Sequence, residues 1–290
     1  MNKKRSVLIA GGDYRQTYIA GYFIKYFDKI YTIGFNQTLS FDKVTFLEDI
    51  TELNDSIDVL VLPPVTTNDG KTVNTPFYNK NLYINDVLKH LAPNALIFGG
   101  NISESLFKEL CENNYTVTDY FKNEKLILAN TIPTAEGALQ IALEETPYVL
   151  RNAKTAVLGF GRVGRETAKL FKSVGAEVLV FDRKESKRNA AEKIGLDAYD
   201  FGADELYSSS IIINTVPALV VSKEVLKKIS ANTLIIDLAS KPGGVDLKYA
   251  RIKGMNVIWA LSLPGKVAPV TSGEIIAKTI ISCIKSGGGL

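Results

Sequence analysis

Short apolar runs alternate with segments whose apolar residues recur at helical spacing, and the alternation extends along the chain. Residues 7–10 read as a buried strand, and Tyr18, Ile19, Tyr22, Phe23 and Tyr26 follow on one helix face. Residues 30–33, 57–62, 95–98 and 126–129 predict four further strands. Residues 134–146 predict a helix, with Thr134 as its N-cap and Ala138, Leu139, Ala142 and Leu143 as its apolar stripe. A second series begins at residues 155–158 and continues with strands at 178–181, 211–213, 233–237 and 256–258. Residues 273–286 place Ile275, Ile276, Ile280, Ile281 and Ile284 on one helical face.

Strand-then-helix repetition is the mark of parallel sheets covered by helices. The expected fold is α/β, with two Rossmann-like, doubly wound parallel-sheet domains. The first takes residues 1–133 together with 270–290, which pack back on it; the second takes 134–269 and is entered through a linking helix. The tail 287–290 is expected to fray.

Composition narrows the possibilities. The chain has 290 residues, 46% hydrophobic and 22% charged, which excludes disorder as the main state. Lys+Arg 34 against Asp+Glu 31 leaves +3 without a dense basic block, so no nucleic-acid partner is expected. The apolar runs 7–10, 57–62, 211–213 and 233–238 are shorter than the roughly 20 residues that cross a bilayer, so no membrane partner is expected either. Residues 1–6 are basic, but the apolar run after them is too short for a signal sequence, and a cytoplasmic location is expected. Cys111 and Cys283 form no CxxC and read as packing residues; His90 reads as an exposed helix end, and no metal site is expected. With one histidine, acid-base chemistry falls to carboxylates, Lys, Tyr, hydroxyls or a cofactor.

Gly159-Phe160-Gly161-Arg162-Val163-Gly164 follows a predicted strand and opens a predicted helix, the context a dinucleotide fingerprint requires. Gly159 serves the tight turn, Gly161 the close approach of a pyrophosphate, and Gly164 the packing of helix on strand. The helix N-terminus favours the anion. Asp182, ending the next strand, suits the 2′-hydroxyl of NAD, whereas Arg183, Lys184 and Lys187 suit the 2′-phosphate of NADP. These residues leave both cofactors open.

Ligands of open parallel sheets bind beyond the carboxyl ends of the strands, so the loops there assemble a candidate site. The first half offers Arg15, Gln16, Thr66, Thr67 and Asn101; the linking helix offers Thr134 and Glu136; the second half adds Ser240, Lys241 and Lys266. Hydroxyls, amides and cations suit an anionic substrate. Arg15 is expected to fork onto one carboxylate and Ser240 with Lys241 to hold another. Asn214, Thr215, Pro217, Asp237 and Ala239 are expected at the cofactor. Glu136 and Lys241 are the acid-base candidates, although Glu136 also reads as serving the first helical turn.

Gly11-Gly-Asp-Tyr-Arg-Gln16, Ile132-Pro-Thr-Ala-Glu-Gly137, Val157-Leu-Gly-Phe-Gly-Arg-Val-Gly164, Ile236-Asp-Leu-Ala-Ser-Lys-Pro-Gly-Gly244 and Leu263-Pro-Gly-Lys-Val-Ala-Pro269 together resemble the dipicolinate synthase A-subunit family of spore-forming bacteria. The architecture more distantly resembles D-2-hydroxyacid dehydrogenases. The resemblance implies formation of dipicolinate (pyridine-2,6-dicarboxylate) from dihydrodipicolinate or its hydrated lysine-pathway precursor. It also implies NADP, with NAD as the alternative, a flavoprotein-like B subunit, an oligomer, and the mother cell of a sporulating bacterium. The loop 263–269 lacks the histidine of hydroxyacid dehydrogenases, which argues against their reaction. A 2-hydroxyacid-type dehydrogenase and a dinucleotide-binding scaffold without turnover are the competing readings.

Overall fold

The computed structural model describes residues 5–34 and 41–287. The chain divides into two compact units, Met1–Ala129 with Ala268–Leu290, and Asn130–Val267.

The first unit runs β1 (Ser6–Ala10), α1 (Tyr14–Phe23), β2 (Lys29–Ile33), β3 (Val44–Leu47), β4 (Ile57–Val61), α2 (Ile84–Leu88), β5 (Leu91–Gly99), α3 (Glu104–Glu112), β6 (Thr116–Asp119) and α4 (Glu124–Ala129). The second runs α5 (Thr131–Glu145), β7 (Lys154–Leu158), α6 (Arg162–Ser173), β8 (Glu177–Phe181), α7 (Glu185–Glu192), β9 (Asp197–Tyr199), β10 (Ile211–Asn214), α8 (Lys223–Lys228), β11 (Leu234–Asp237), α9 (Leu247–Ile252), β12 (Val257–Trp259) and α10 (Leu263–Val267). The chain returns to the first unit with α11 (Pro269–Ser286).

Each unit holds one six-stranded sheet, ordered β3-β2-β1-β4-β5-β6 and β12-β11-β10-β7-β8-β9. All pairings are parallel. Both are the doubly wound order, which reverses between β1 and β4 in one sheet and between β7 and β10 in the other. The central strands are buried along nearly their whole length, each with a run of apolar residues, because helices cover both faces. In the first unit Val7, Ile9, Val59 and Val61 face α1 and α11, and Leu8, Ala10 and Leu60 face the other layer with Val87, Leu106 and Leu110. In the second, Val157, Ile213 and Ile236 pack with Ala138, Ala168 and Phe171, and Ala156, Leu158 and Ile212 with Leu226 and Ala250.

Several expectations are corrected. Residues 126–129 are helical, as α4, because Asn123 caps them through its side chain onto the Leu126 N–H; Leu126 is buried while Leu128 is 48% exposed, a one-sided helical pattern. Strand six is instead Thr116–Asp119, and β3 and β9 are two further strands that lack an apolar run. The linking helix starts at Thr131; Thr134 lies inside it and donates its hydroxyl to the Asn130 carbonyl at 2.8 Å, so it is no N-cap. Cys111 is exposed rather than packed, and His90 is half-buried in the turn after α2. Residues 124–145 have the length and mean hydropathy, 1.2, of a membrane span, but Leu126, Pro133, Ala135, Ala138 and Ala142 are buried within the protein. Of the tail, residues 288–290 lie outside the described residues, as do 1–4.

Candidate functional site

In the second unit the turn between β7 and α6 is built by its glycines. Gly159 has φ +86°, and a Cβ there would lie 2.7 Å from Val216 Cγ2 and 2.8 Å from Thr215 Oγ1. A Cβ on Gly164 would overlap the Gly159 carbonyl oxygen, which sets how closely α6 approaches the strand. Gly161 differs: it caps α6 with φ −81° and no side-chain hydrogen bond, and nothing lies within 4 Å of the position its Cβ would take. The space over Gly161 at the N-terminus of a 12-residue helix fits a dinucleotide pyrophosphate. Arg162 is exposed and Val163 half-buried beside it. The Phe160 ring instead enters the core at 2% exposure, so only its backbone belongs to the turn.

Asp182 follows β8 directly and closes on that turn. Its Oδ2 accepts the Phe160 N–H at 2.8 Å and its Oδ1 the Lys184 N–H at 2.9 Å. The carboxylate is therefore fixed in orientation while half-exposed, and Arg183, Lys184 and Lys187 beside it are exposed. Arg188 braces the same turn, donating to the Asp182 carbonyl at 2.8 Å and pairing with Asp200 at 3.2 Å.

Across the switch point, Thr215 donates its hydroxyl to the Leu158 carbonyl at 2.8 Å and the Gly159 carbonyl at 3.2 Å. Pro217 is exposed in the same loop. Asn214 and Asp237, expected at the cofactor, are instead 0% and 1% exposed and bound to each other. Asn214 Nδ2 donates to Asp237 Oδ1 at 2.7 Å and to the Val216 carbonyl at 3.0 Å, and its Oδ1 accepts the Val216 N–H. They shape the loops from beneath because their polar atoms are consumed internally. Ala239 is buried, whereas Ser240 and Lys241 are exposed at the loop tip. Lys266 is exposed on α10, and Glu136 is exposed in the second turn of α5, so it does not serve the first turn.

The first unit places its expected residues differently. Asp13 is the N-cap of α1 and accepts the Arg15 N–H at 3.1 Å. The same carboxylate takes Arg15 Nε at 2.8 Å and Nη2 at 2.7 Å. Arg15 is 5% exposed, so the expected open fork is closed on Asp13, and the carboxylate occupies the helix end where an external anion would bind. Gln16 is fully buried with both amide atoms unpartnered, lying against Gly12. Thr66 is also buried, donating to the Gly100 carbonyl at 3.0 Å, and the Thr67 hydroxyl orders the loop through Asp69 and Gly70. Asn101 is exposed, its Nδ2 donating to the Pro64 carbonyl at 3.1 Å. Nearby, burial pushes the Tyr120 phenol well above its ordinary pKa, opposed by the Arg15 charge; its hydroxyl donates to the Leu62 carbonyl at 3.0 Å. Among the described residues no His, Cys, Asp and Glu group could hold a metal ion.

Residues 6–121 match the family described as the N-terminal domain of the dipicolinate synthase A subunit, and residues 134–240 match the NAD-binding domain of D-isomer specific 2-hydroxyacid dehydrogenases. The dipicolinate synthase A subunit of Bacillus subtilis (strain 168) is 32% identical over 288 residues, covering 94% of each chain. The chain belongs to the dipicolinate synthase A-subunit family. The crystal structure of the family member from Bacillus halodurans superimposes with a TM-score of 0.88 at 33% identity, covering 98% of this chain and 99% of the other. That from Bacillus subtilis gives 0.84 at 30% identity, covering 99% and 97%. A transhydrogenase from Sinorhizobium meliloti, 14% identical with a TM-score of 0.69 over 98% of this chain and 95% of its own, shares the fold. The dehydrogenase-type scaffold and the binding of a nicotinamide dinucleotide follow from these matches.

Two contributors were missed from sequence. Asp13 carried a signal, as an N-cap residue next to a helical pattern. Trp259, whose indole N–H donates to the Ala239 carbonyl at 2.9 Å, carried none beyond being the chain's one tryptophan.

Proposed function

We propose that the chain forms dipicolinate from dihydrodipicolinate or its hydrated precursor, with NADP as the preferred cofactor. The observation that carries this reading is an intact dinucleotide turn within a chain that matches dipicolinate synthases of the same family over nearly its whole length. A bound nicotinamide dinucleotide would supply the hydride acceptor. The dihydro ring loses a hydride and one proton, the hydrated precursor first eliminating water, and aromatisation supplies the driving force, so the protein needs mainly to hold and orient. Gly159, Gly161 and Gly164 bring the α6 N-terminus to the pyrophosphate. Arg183, with Lys184 and Lys187, supports NADP because the cations lie exposed beside the fixed Asp182 carboxylate. Lys241 and Ser240 hold a substrate carboxylate at the tip of their loop, with Lys266 as a further cation. Glu136 is the candidate acceptor for the ring proton, being an exposed carboxylate of the same unit.

Because its relatives are named as one component of a synthase, we further propose that the chain works in an oligomeric complex with a flavoprotein-like B subunit, in the cytoplasm of the mother cell. Oxidation of 2-hydroxy acids is the competing reading, supported by the domain match over 134–240 and opposed by the absence of a histidine in 263–269. The deciding experiment incubates purified chain, with and without the B subunit, with the lysine-pathway precursor and NADP. Equal amounts of dipicolinate and NADPH are expected. Turnover of glyoxylate-like acids with no dipicolinate under either condition overturns the proposal.

A further inference from the structure

The loop that carries Lys241 is held at both ends and beneath. Asp237, 1% exposed at the end of β11, accepts the Ala239 N–H on Oδ1 at 3.1 Å and the Gly244 N–H on Oδ2 at 2.8 Å. The remaining donor on Oδ1 is Asn214 Nδ2. From the side, Trp259 donates its indole N–H to the Ala239 carbonyl, and its ring lies 3.2 Å from where a Gly243 Cβ would stand. The Gly244 carbonyl accepts the N–H groups of Val220 and Val221, joining this loop to the one after β10. That second loop reaches the dinucleotide turn through Thr215 and the Gly159 carbonyl. Hydrogen bonds joined through the covalent segment 214–221 therefore link Gly159 to Ala239 and Gly244, on either side of Ser240 and Lys241, while the two side chains at the tip stay exposed.

We propose that Asp237 and Trp259 are positioning residues that fix Lys241 relative to the dinucleotide turn, so that a bound dicarboxylate meets the nicotinamide in one orientation. Asp237 is buried beneath the loop and Trp259 is half-buried beside it. Asp237 acts through Ala239 and Gly244, and Trp259 through Ala239, because a long lysine on an untethered loop holds a carboxylate without aiming it. The proposal rests on the substrate reading above for Lys241 and goes beyond it by assigning what aims the amine.

The test has two arms. Amide hydrogen exchange at Ala239 and Gly244 is expected to be slow in the full-length protein and at least tenfold faster in Trp259→Phe, which leaves a smaller aromatic ring and removes the N–H. Fast exchange already in the wild type, or no change in the variant, overturns the clamp. The second arm is a double-mutant cycle with Lys241→Ala. Trp259→Phe is expected to lower kcat/KM for the precursor about tenfold with NADPH affinity within twofold of wild type, and to cost less than twofold further when Lys241 is already alanine. Equal losses in both backgrounds mean a general structural effect and overturn the assignment to Lys241. Asp237→Asn, which meets the Gly244 N–H with a donor or loses the Asn214 bond, is expected to follow the same pattern more strongly. Slow exchange that Trp259→Phe accelerates, in a protein that neither forms nor binds dipicolinate, means that the substrate reading has failed while the clamp stands.

Discussion

Gly161→Ala separates the role of the glycine turn in folding from its role in binding. The backbone at this position, φ −81° and ψ −162°, is ordinary extended geometry for alanine, and the added methyl meets no protein atom within 4 Å. Alanine is a poorer N-cap than glycine by a few tenths of a kcal/mol or more, while it gains about 0.4–1 kcal/mol from a stiffer unfolded chain. The two nearly cancel, and Tm is expected within about 3 °C of wild type. A pyrophosphate passing over the α6 N-terminus meets the methyl at close range, and overpacking of this kind costs about 1–3 kcal/mol. At about 1.4 kcal/mol per factor of ten, NADPH affinity falls roughly 5- to 150-fold. Fluorescence titration of NADPH alongside thermal melts reads both quantities. Unchanged affinity would show that the dinucleotide does not cross Gly161, and a collapsed Tm would show that the glycine is there for the fold.

Gly164→Ala is expected to behave oppositely, lowering Tm and cofactor affinity together, because its Cβ overlaps the Gly159 carbonyl; a melt indistinguishable from wild type would contradict that packing. Arg183→Ala is expected to weaken NADPH about fivefold, some 1 kcal/mol for an exposed ion pair, and to leave NADH unchanged; equal effects on both would remove the case for the 2′-phosphate. Burial, and then the hydrogen bond to Asp55, pushes the Tyr31 phenol from 10.0 up to about 12. The unfolded chain thus releases this proton first, so the contribution to stability is complete below pH 10, declines above it and is lost as pH rises through 12. Tyr31→Phe is expected to flatten the fall in urea midpoint between about pH 10 and 12, and an unchanged slope would refute the assignment.

The legible parts of the fold are those buried on both faces. β1, β4, β7, β10 and β11 are apolar at successive positions because helices cover both sides of each sheet, and the sequence announces them. β3, β6 and β9 are edge strands, Val-Thr-Phe-Leu, Thr-Val-Thr-Asp and Asp-Ala-Tyr, with one flank unpaired and less apolar demand, so no run marks them. The glycine fingerprint was legible because each glycine answers a local backbone requirement. The roles of Arg15, Asn214 and Asp237 were not, because a side chain's identity does not say whether its polar atoms are already taken. Arg15 has a partner two residues away, whereas Asn214 and Asp237 meet only when β10 and β11 lie side by side.

The two sheets share one strand order, yet their first turns end differently. After β7 the helix end is left to Gly161, which has no side chain to fill it; after β1 it is filled by the Asp13 carboxylate, already neutralised by Arg15. A phosphate approaching the second of these would have to displace a covalently tethered anion. Each chain should therefore titrate with a single equivalent of dinucleotide, although it carries the nucleotide-binding topology twice.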